Sequence, residues 1–290
     1  MMRIRKTVLL LLACWLSTSK TFAQDTCSVL LPGGGGYYGN EQYDTCYVNW
    51  LQKIRIPVIF HVVYRNNKEN IETHLLKKEL DDLHKDFLHL NADSNEVLSR
   101  YQHLVCNAII DFYLAQEKFD GSDEGGIIRV KRNQLEKPET VSAIIEPEKY
   151  LNIYVYTRHH NGAHTPPVPW TTPYKDAVFV SYVEIGQGYR ILTHEVGHWL
   201  GLLHTYESKN CTDAGDGLVD TPQQLQSADG GFVIKKNDPS LFPTNCAGDP
   251  CLYQNFMDYS FFRCMFTRDQ VKRMRIIIAN KRKQLMMNNP

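Results

Sequence analysis

The segment from His194 to His204 contains the residues with the clearest chemical potential in this sequence. It reads His-Glu-Val-Gly-His-Trp-Leu-Gly-Leu-Leu-His. On an α-helix, His194 and His198 lie about 40° apart around the axis, so both imidazoles face the same side. Two imidazoles on one face can bind a zinc ion at roughly 2.0–2.1 Å. Glu195, beside the first of them, can take a proton from water and return it to a leaving amine.

His204 can reach the same ion only if the helix ends before it. Ten residues of unbroken helix would carry it about 15 Å along the axis. Gly201 stands where the chain must turn back, and glycine tolerates the left-handed backbone that ends helices. Three neutral imidazoles leave a fourth position for water, which is the open geometry of a catalytic zinc site. The segment therefore predicts a zinc site with three histidine ligands and Glu195 as general base.

The surrounding elements must hold this segment. The predicted helix over residues 189–203 has its apolar side opposite the histidines, so it packs on a core and faces a cleft. The sequence also predicts an amphipathic helix over residues 73–90 and a capped helix over residues 268–287. Strands are predicted over residues 54–64, 109–116, 126–130, 150–156 and 177–185. This order predicts an α/β or α+β layered fold with a mixed sheet.

Residues 205–266 are rich in glycine, aspartate, proline and cysteine, and predict a long irregular region. An irregular region of this length is normally held by disulfide bonds or has a function of its own. The region contains four cysteines: Cys211, Cys246, Cys251 and Cys264. Four cysteines can form two disulfides in three different ways. The aspartates of the same region predict an oxygen cage for calcium. They are Asp213, Asp216 and Asp220, next to Gly215 and Gly217.

The N-terminus has the pattern of a secretory signal. Residues 1–23 have a basic start, an apolar run over residues 8–16 that is too short to span a bilayer, and a small residue, Ala23, before the expected cleavage site. The alternative is a lipoprotein cleavage box that makes Cys14 a lipidated N-terminus. Residues 24–53 lack periodicity and predict a flexible leader or a pro-segment. Localisation is therefore expected to be extracellular, or at a membrane surface through a lipid.

Removal of the predicted signal changes the composition. The chain has 290 residues, with 32 Lys+Arg and 32 Asp+Glu. Residues 1–23 hold four basic and no acidic side chains, which leaves 28 against 32 and a formal charge of −4. Nucleic acid is thereby excluded as an electrostatic partner. Seven cysteines remain, so at least one lacks an intramolecular partner. Cys27, Cys46 and Cys106 are expected to form one disulfide and leave one free thiol. The alternative is that a leader thiolate occupies the fourth zinc position and keeps the enzyme latent.

Three further motifs accompany the zinc helix. They are Gly-Asp-Gly-Leu-Val-Asp-Thr-Pro at residues 215–222, Asn-Phe-Met-Asp-Tyr-Ser at residues 255–260, and Cys-Met at residues 264–265. With these motifs, residues 54–287 resemble the metzincin metallopeptidases, and among them the pappalysin family with its ulilysin-like secreted proteases. The resemblance implies an α+β metzincin fold, in which a twisted mixed sheet with its helices stands above an irregular, disulfide-stapled lower subdomain that ends in a helix.

The resemblance also implies roles for single residues. Met257 would form a Met-turn, an apolar floor beneath the zinc, and Tyr259 would help to stabilise the oxyanion. The implied disulfides are Cys211–Cys251 and Cys246–Cys264, and calcium is implied at the aspartate loop. The catalytic domain would span residues 54–290, with residues 54–204 as the upper subdomain and residues 205–290 as the lower one.

Specificity is where the sequence departs from the family. Relatives that prefer a basic residue after the scissile bond are thought to place an acid just before the cysteine that follows the Met-turn. Arg263 stands there in this chain, which predicts a pocket for apolar or acidic side chains.

The sequence thus predicts a secreted zinc endopeptidase that cleaves proteins or peptides. The substrate is expected to add as an antiparallel strand to residues 177–185, with residues 109–116 as the second candidate rim. The alternative is a secreted or lipid-anchored zinc-containing binding or adhesion protein without proteolytic activity.

Overall fold

The structure, a computed structural model, describes residues 28–30, 42–44, 48–120, 122–133, 137–158, 162–167, 169–228 and 237–287. The predicted signal peptide, Cys14, Cys27 and Cys46 lie outside these ranges. Within them, no helix has the length and apolarity that crossing a bilayer would require.

A twisted mixed sheet forms the upper part of the molecule. Its long strand is β3, Ile54–Tyr64, and the others run in the order β5-β6-β3-β7-β9-β8, with β4 beside the first half of β3. β3 pairs in parallel with β4, β6 and β7, whereas the short strands β5 and β8 pair antiparallel with their neighbours. The bounds are β4 Ile110–Leu114, β5 Ser122–Glu124, β6 Ile127–Lys131, β7 Leu151–Tyr156, β8 Ala163–His164 and β9 Val178–Ser181.

The continuous apolar run of β3 results from its position. Nearly all of its residues are buried, because a central parallel strand is covered on both faces. Helix α1, Thr73–Phe87, packs its stripe of Leu76, Leu80, Leu83 and Phe87 into the same core. A separate antiparallel pair, β1 Ser28–Leu30 with β2 Gln42–Asp44, lies in the predicted leader.

The remaining helices are α2 Pro138–Val141, α3 Ile191–Trp199, α4 Arg268–Lys281 and α5 Lys283–Met287. The capping box of Thr267 and Gln270 opens α4 as predicted. The single helix expected over residues 268–287 is instead interrupted at Arg282, whose side chain is pulled into the core.

The mixed sheet with its helices and an irregular lower part confirms the predicted fold, but the expected substrate strand was assigned wrongly. β9 is bonded on both sides, to β7 and to β8, and so has no free edge. Residues 109–116 also fail as a rim, since β4 pairs with β3, and β7 and β9 separate β3 from the edge strand β8 beside the zinc helix. The edge strand next to the zinc helix is β8, which is too short for a periodic signal.

The expected disulfide pairing was also wrong. Cys211 is bonded to Cys246, with a Cα–Cα separation of 5.6 Å. Cys251 and Cys264 are thiols with no exposed surface, each enclosed in a different apolar cluster. Burial raises the pKa of both thiols to about 12. The exposed Cys211 therefore forms its disulfide with Cys246. The backbone N–H of Cys246 donates to the carbonyl of Gln223.

Candidate active site

Three histidine side chains meet at the open side of α3. The Nε2 atom of His198 lies 3.1 Å from Nε2 of His194 and 3.2 Å from Nε2 of His204. Two nitrogens bound to one tetrahedral zinc ion at 2.0–2.1 Å are separated by about 3.3 Å. In the described part of the chain, these histidines form the one group of three or more His, Cys, Asp or Glu ligand atoms within 4.8 Å of one another. The spacing fits a zinc ion.

The other nitrogen of each ring is occupied. Nδ1 of His194 lies 2.8 Å from the carbonyl of Phe256, and Nδ1 of His198 lies 2.8 Å from the carbonyl of Leu202. Nδ1 of His204 lies 2.9 Å from Oε1 of Glu207. Since carbonyl and carboxylate oxygens only accept, each Nδ1 carries the proton and each Nε2 presents a lone pair. These partners fix the tautomer that a metal ligand needs.

Burial lowers the pKa of both histidines of helix α3. Desolvation, together with the neighbouring imidazoles, lowers the pKa of His194 well below its ordinary value. The same causes lower the pKa of His198 to about 3. Both rings are therefore neutral at physiological pH, as zinc ligation requires.

The turn after α3 brings the third histidine back. The helix ends at Trp199, and Gly201 has a φ of +87°, as the sequence predicts. The N–H of Leu202 donates to the carbonyl of Gly197, and the N–H of Gly201 donates to that of His198. A side chain at position 201 would also contact Ile277 at 2.8 Å, so glycine is required for both conformation and space.

Glu195 lies almost buried beside this cluster. Its side chain is 7% exposed, and Oε2 has no hydrogen-bond partner. Desolvation raises the pKa of Glu195 to about 7, against the lowering effect of Thr165 and of the guanidinium groups of Arg158 and Arg263. A carboxylate with one free oxygen and a pKa near neutrality is suited to take and return a proton.

Met257 and Tyr259 reach the site from the segment before Cys264. Met257 is fully buried, and its sulfur occupies the space where a side chain at Gly197 would have to be. Tyr259 is 47% exposed, and its hydroxyl lies 3.2 Å from Nε2 of His204. The structure therefore brings the predicted Met-turn and the predicted oxyanion donor to the zinc helix.

Arg263 is buried next to this cluster. Its guanidinium donates to the backbone carbonyls of Asp258, at 3.1 Å, and Tyr189, while Nε has no partner. No carboxylate of the described residues lies within salt-bridge distance of Arg263, and burial lowers its pKa to about 10. The charge is close enough to depress the pKa values of both His194 and Glu195.

The three aspartates predicted to bind calcium do not converge. Asp213 accepts from the backbone N–H groups of Lys209 and Gly215. Asp216 accepts from the hydroxyl of Thr221 at 2.6 Å.

Asp220, the third of them, caps α4 by accepting from Thr267 and from the N–H of Asp269. Arg273 donates to the carbonyls of Asp216 and Gly217, which places a fixed cation against oxygens that calcium would use. The calcium prediction gains no support from this arrangement.

Sequence reasoning missed three residues of the site. The hydroxyl of Thr165 bonds the backbone carbonyl of Glu195 at 2.9 Å, and the ring of Tyr206 stacks on His204 with centroids 4.7 Å apart. Glu207 bonds His204 and, with Thr165, lines a cavity of about 180 Å³ beside the histidines. Only the nearness of Tyr206 and Glu207 to the third histidine could have signalled their roles, whereas Thr165 directly follows the short edge strand β8.

The chain is similar to known peptidases over the region of this site. A family model described as pregnancy-associated plasma protein-A matches residues 136–279. An extracellular metalloprotease of Aspergillus oryzae is 45% identical over 86 residues, which are 28% of this chain and 25% of that protein. One of Aspergillus fumigatus is 45% identical over 96 residues, 31% of this chain and 27% of that protein. The matched part thus spans about a quarter of the length of these relatives.

Solved structures extend the likeness over more of the chain. Mature mirolysin of Tannerella forsythia, in complex with a cleaved peptide, is 28% identical with a TM-score of 0.68, and the match covers 82% of this chain and 99% of that one. A mutant of promirolysin from the same organism is 26% identical with a TM-score of 0.70, and here the match covers 99% of this chain and 96% of that one.

Proposed function

The chain belongs, through the domain matched over residues 136–279, to the pappalysin family of metzincin metallopeptidases, and we propose that it is a secreted zinc endopeptidase that cleaves proteins or peptides. The observation that carries this proposal is the convergence of three Nε2 atoms beside a buried carboxylate with a free oxygen. The names of the fungal relatives support an extracellular site of action.

The mechanism follows from the placement of the side chains. Zinc held by His194, His198 and His204 would supply Lewis acidity, which polarises a peptide carbonyl and acidifies water. Glu195 takes the proton of the attacking water on Oε2 and delivers it to the leaving nitrogen. The Tyr259 hydroxyl, which lies 3.2 Å from Nε2 of His204, donates to the carbonyl oxygen as negative charge develops there.

The experiment that tests this function is cleavage of unfolded casein by the protein beginning at residue 54, loaded with zinc. Mass spectrometry of the products should find new termini in the interior of the casein chain. Products released only from chain ends would exclude an endopeptidase, and intact casein under all conditions would favour the binding-protein alternative.

Substitution of Tyr259 by phenylalanine should lower kcat by roughly 100-fold with bound zinc unchanged, because the ring keeps its packing and only the donor is lost. Activity is measured with a peptide substrate, and zinc is measured by metal analysis on the same samples. Tyr174→Phe is the matched control, since this tyrosine is exposed and lies outside the site. Full activity of Tyr259→Phe would remove the role assigned to this phenol.

The free edge of β8 is the surface to which a substrate strand would add. Among the strands that the structure describes, β8 pairs with β9 alone, and the next residue, Thr165, bonds the carbonyl of Glu195. An extended peptide paired with this edge lies over the histidines with its backbone held by main-chain hydrogen bonds. This contact binds peptides regardless of sequence, so selectivity must come from side-chain pockets.

Arg263 is proposed to set one such preference. Its buried guanidinium, which bonds backbone carbonyls, repels a cation and favours an apolar or acidic side chain after the scissile bond. In a peptide library, glutamate or aspartate at that position should be preferred over lysine or arginine by at least roughly tenfold. Arg263→Gln should reduce this ratio. Dominance of lysine or arginine in the wild-type profile would contradict the assignment.

Residues 24–53 are proposed to act as a pro-segment that is removed from the mature enzyme. The promirolysin match, which extends over 99% of this chain against 82% for the mature form, supports this division. Equal activity of the protein beginning at residue 24 and the protein beginning at residue 54 would oppose latency.

A further inference from the structure

The three histidines differ in what holds their outer nitrogen. His194 and His198 belong to α3 and bond backbone carbonyls, which the fold fixes in place. His204 lies beyond the helix and bonds a side-chain carboxylate, that of Glu207, at 2.9 Å. The third ligand is thus the one whose orientation depends on a neighbouring acidic residue.

We propose that Glu207 is a positioning residue for zinc, which holds His204 in the orientation and tautomer that the metal requires. The inference rests on the proposed zinc centre and extends it to a residue outside the His-Glu-x-x-His pattern. A carboxylate that accepts from Nδ1–H fixes the ring, directs the Nε2 lone pair inward and raises its basicity. Removal of such a partner typically lowers metal affinity by roughly 10- to 100-fold.

The local structure makes this support necessary. The side chain of His204 is 22% exposed, and that of Glu207 is 20% exposed, so neither is locked by surrounding core. The turn that joins them is closed by a long hydrogen bond of 3.4 Å from the N–H of Glu207 to the carbonyl of His204. Tyr206 stacks on the ring of His204 and the Tyr259 hydroxyl lies 3.2 Å from its Nε2, but among the described residues it is Glu207 that bonds Nδ1.

Glu207 has no competing partner of opposite charge. Within the described ranges, no lysine or arginine lies within salt-bridge distance of its carboxylate, which bonds the ring of His204. The rest of its surroundings in the cavity are apolar side chains, the hydroxyl of Thr165 and the ring of His198. The carboxylate is therefore directed at the third ligand rather than at a structural cation.

Zinc affinity measured without substrate tests the proposal. The zinc Kd of wild type, Glu207→Gln and Glu207→Ala is determined by competition with a chromogenic chelator. Glu207→Ala should bind roughly 10- to 100-fold more weakly, and Glu207→Gln should lie between, because an amide oxygen still accepts from Nδ1. Glu148→Gln, which removes an exposed carboxylate outside the site, should match wild type.

Thermal unfolding with and without zinc separates positioning from folding. The Tm of the zinc-free variants should equal that of zinc-free wild type, and only the zinc-induced rise in Tm should shrink. An equal loss of Tm in both states would mean that Glu207 stabilises the fold instead, and unchanged Kd in Glu207→Ala would also overturn the proposal. If wild type itself binds no zinc, the proposed function fails; if wild type binds one equivalent and the variants bind as tightly, only the role of Glu207 fails.

Discussion

Replacement of Glu195 by glutamine should reduce kcat by roughly 100- to 10,000-fold while the protein keeps its zinc. The change is nearly isosteric, and Glu195 is not one of the three residues whose Nε2 atoms converge to hold the metal. What disappears is the group that takes a proton from water and returns it to the leaving amine. The measurement is kcat with a quenched peptide substrate, together with zinc content for each sample.

A matched control shows whether the loss of activity in Glu195→Gln comes from the loss of the general base or only from the loss of a negative charge near the site. Glu184 is a carboxylate near β8, and it accepts from the N–H of Gly162 at 2.9 Å. Glu184→Gln keeps an acceptor there and should retain most of the activity. If Glu195→Gln and Glu184→Gln lose activity to the same small extent, Glu195 is not the general base.

Replacement of Asp176 by alanine should destabilise the fold by about 3–5 kcal/mol, because it leaves a buried guanidinium without its counter-charge. Arg282 binds both oxygens of Asp176 at 2.8 Å and lies 3.6 Å over the ring of Trp199. Nε1 of Trp199 donates to the same carboxylate at 2.7 Å. All three side chains are almost completely buried.

This buried network joins three distant parts of the chain. Trp199 is the last residue of the zinc helix α3, Arg282 lies between helices α4 and α5, and Asp176 precedes β9. Loss of Asp176 should therefore lower Tm by roughly 10 °C and loosen the end of α3, which weakens zinc binding as a consequence.

Two comparisons make the result interpretable. Asp249→Ala removes a carboxylate from an exposed ion pair with Arg100, and it should cost at most about 1 kcal/mol. Adding Arg282→Met to Asp176→Ala removes the unpaired charge and should recover part of the stability. A Tm of Asp176→Ala within a degree of that of Asp249→Ala would contradict the stabilising role of the network.

The parts of the site that sequence could predict are those encoded by local spacing. His194, His198 and the turn at Gly201 follow from helix geometry, and the structure has the turn where it was expected. The long strand β3 and the capping box of α4 were likewise readable, because their signals extend over several adjacent residues.

The parts that sequence could not predict depend on distant contacts. β8 has two residues and is defined only by its pairing with β9, so no periodicity exists to find it. The Cys211–Cys246 disulfide depends on which thiols remain at the surface after the apolar clusters close around Cys251 and Cys264.

Buried arginines are the other features that spacing could not reveal. Arg282 interrupts an apparent single helix because Asp176, 106 residues away, pairs with it in the core. Arg273 fills a loop whose aspartates suggested calcium.

The most direct test of the zinc peptidase account is a titration of the metal-free protein, beginning at residue 54, with zinc while peptide cleavage is recorded. Activity should be absent without metal, rise linearly and reach its plateau at one equivalent. His198→Ala, which removes the central ligand, should show no rise in activity when one equivalent of zinc is added. Full cleavage by the metal-free protein, or by His198→Ala without bound zinc, would contradict the account.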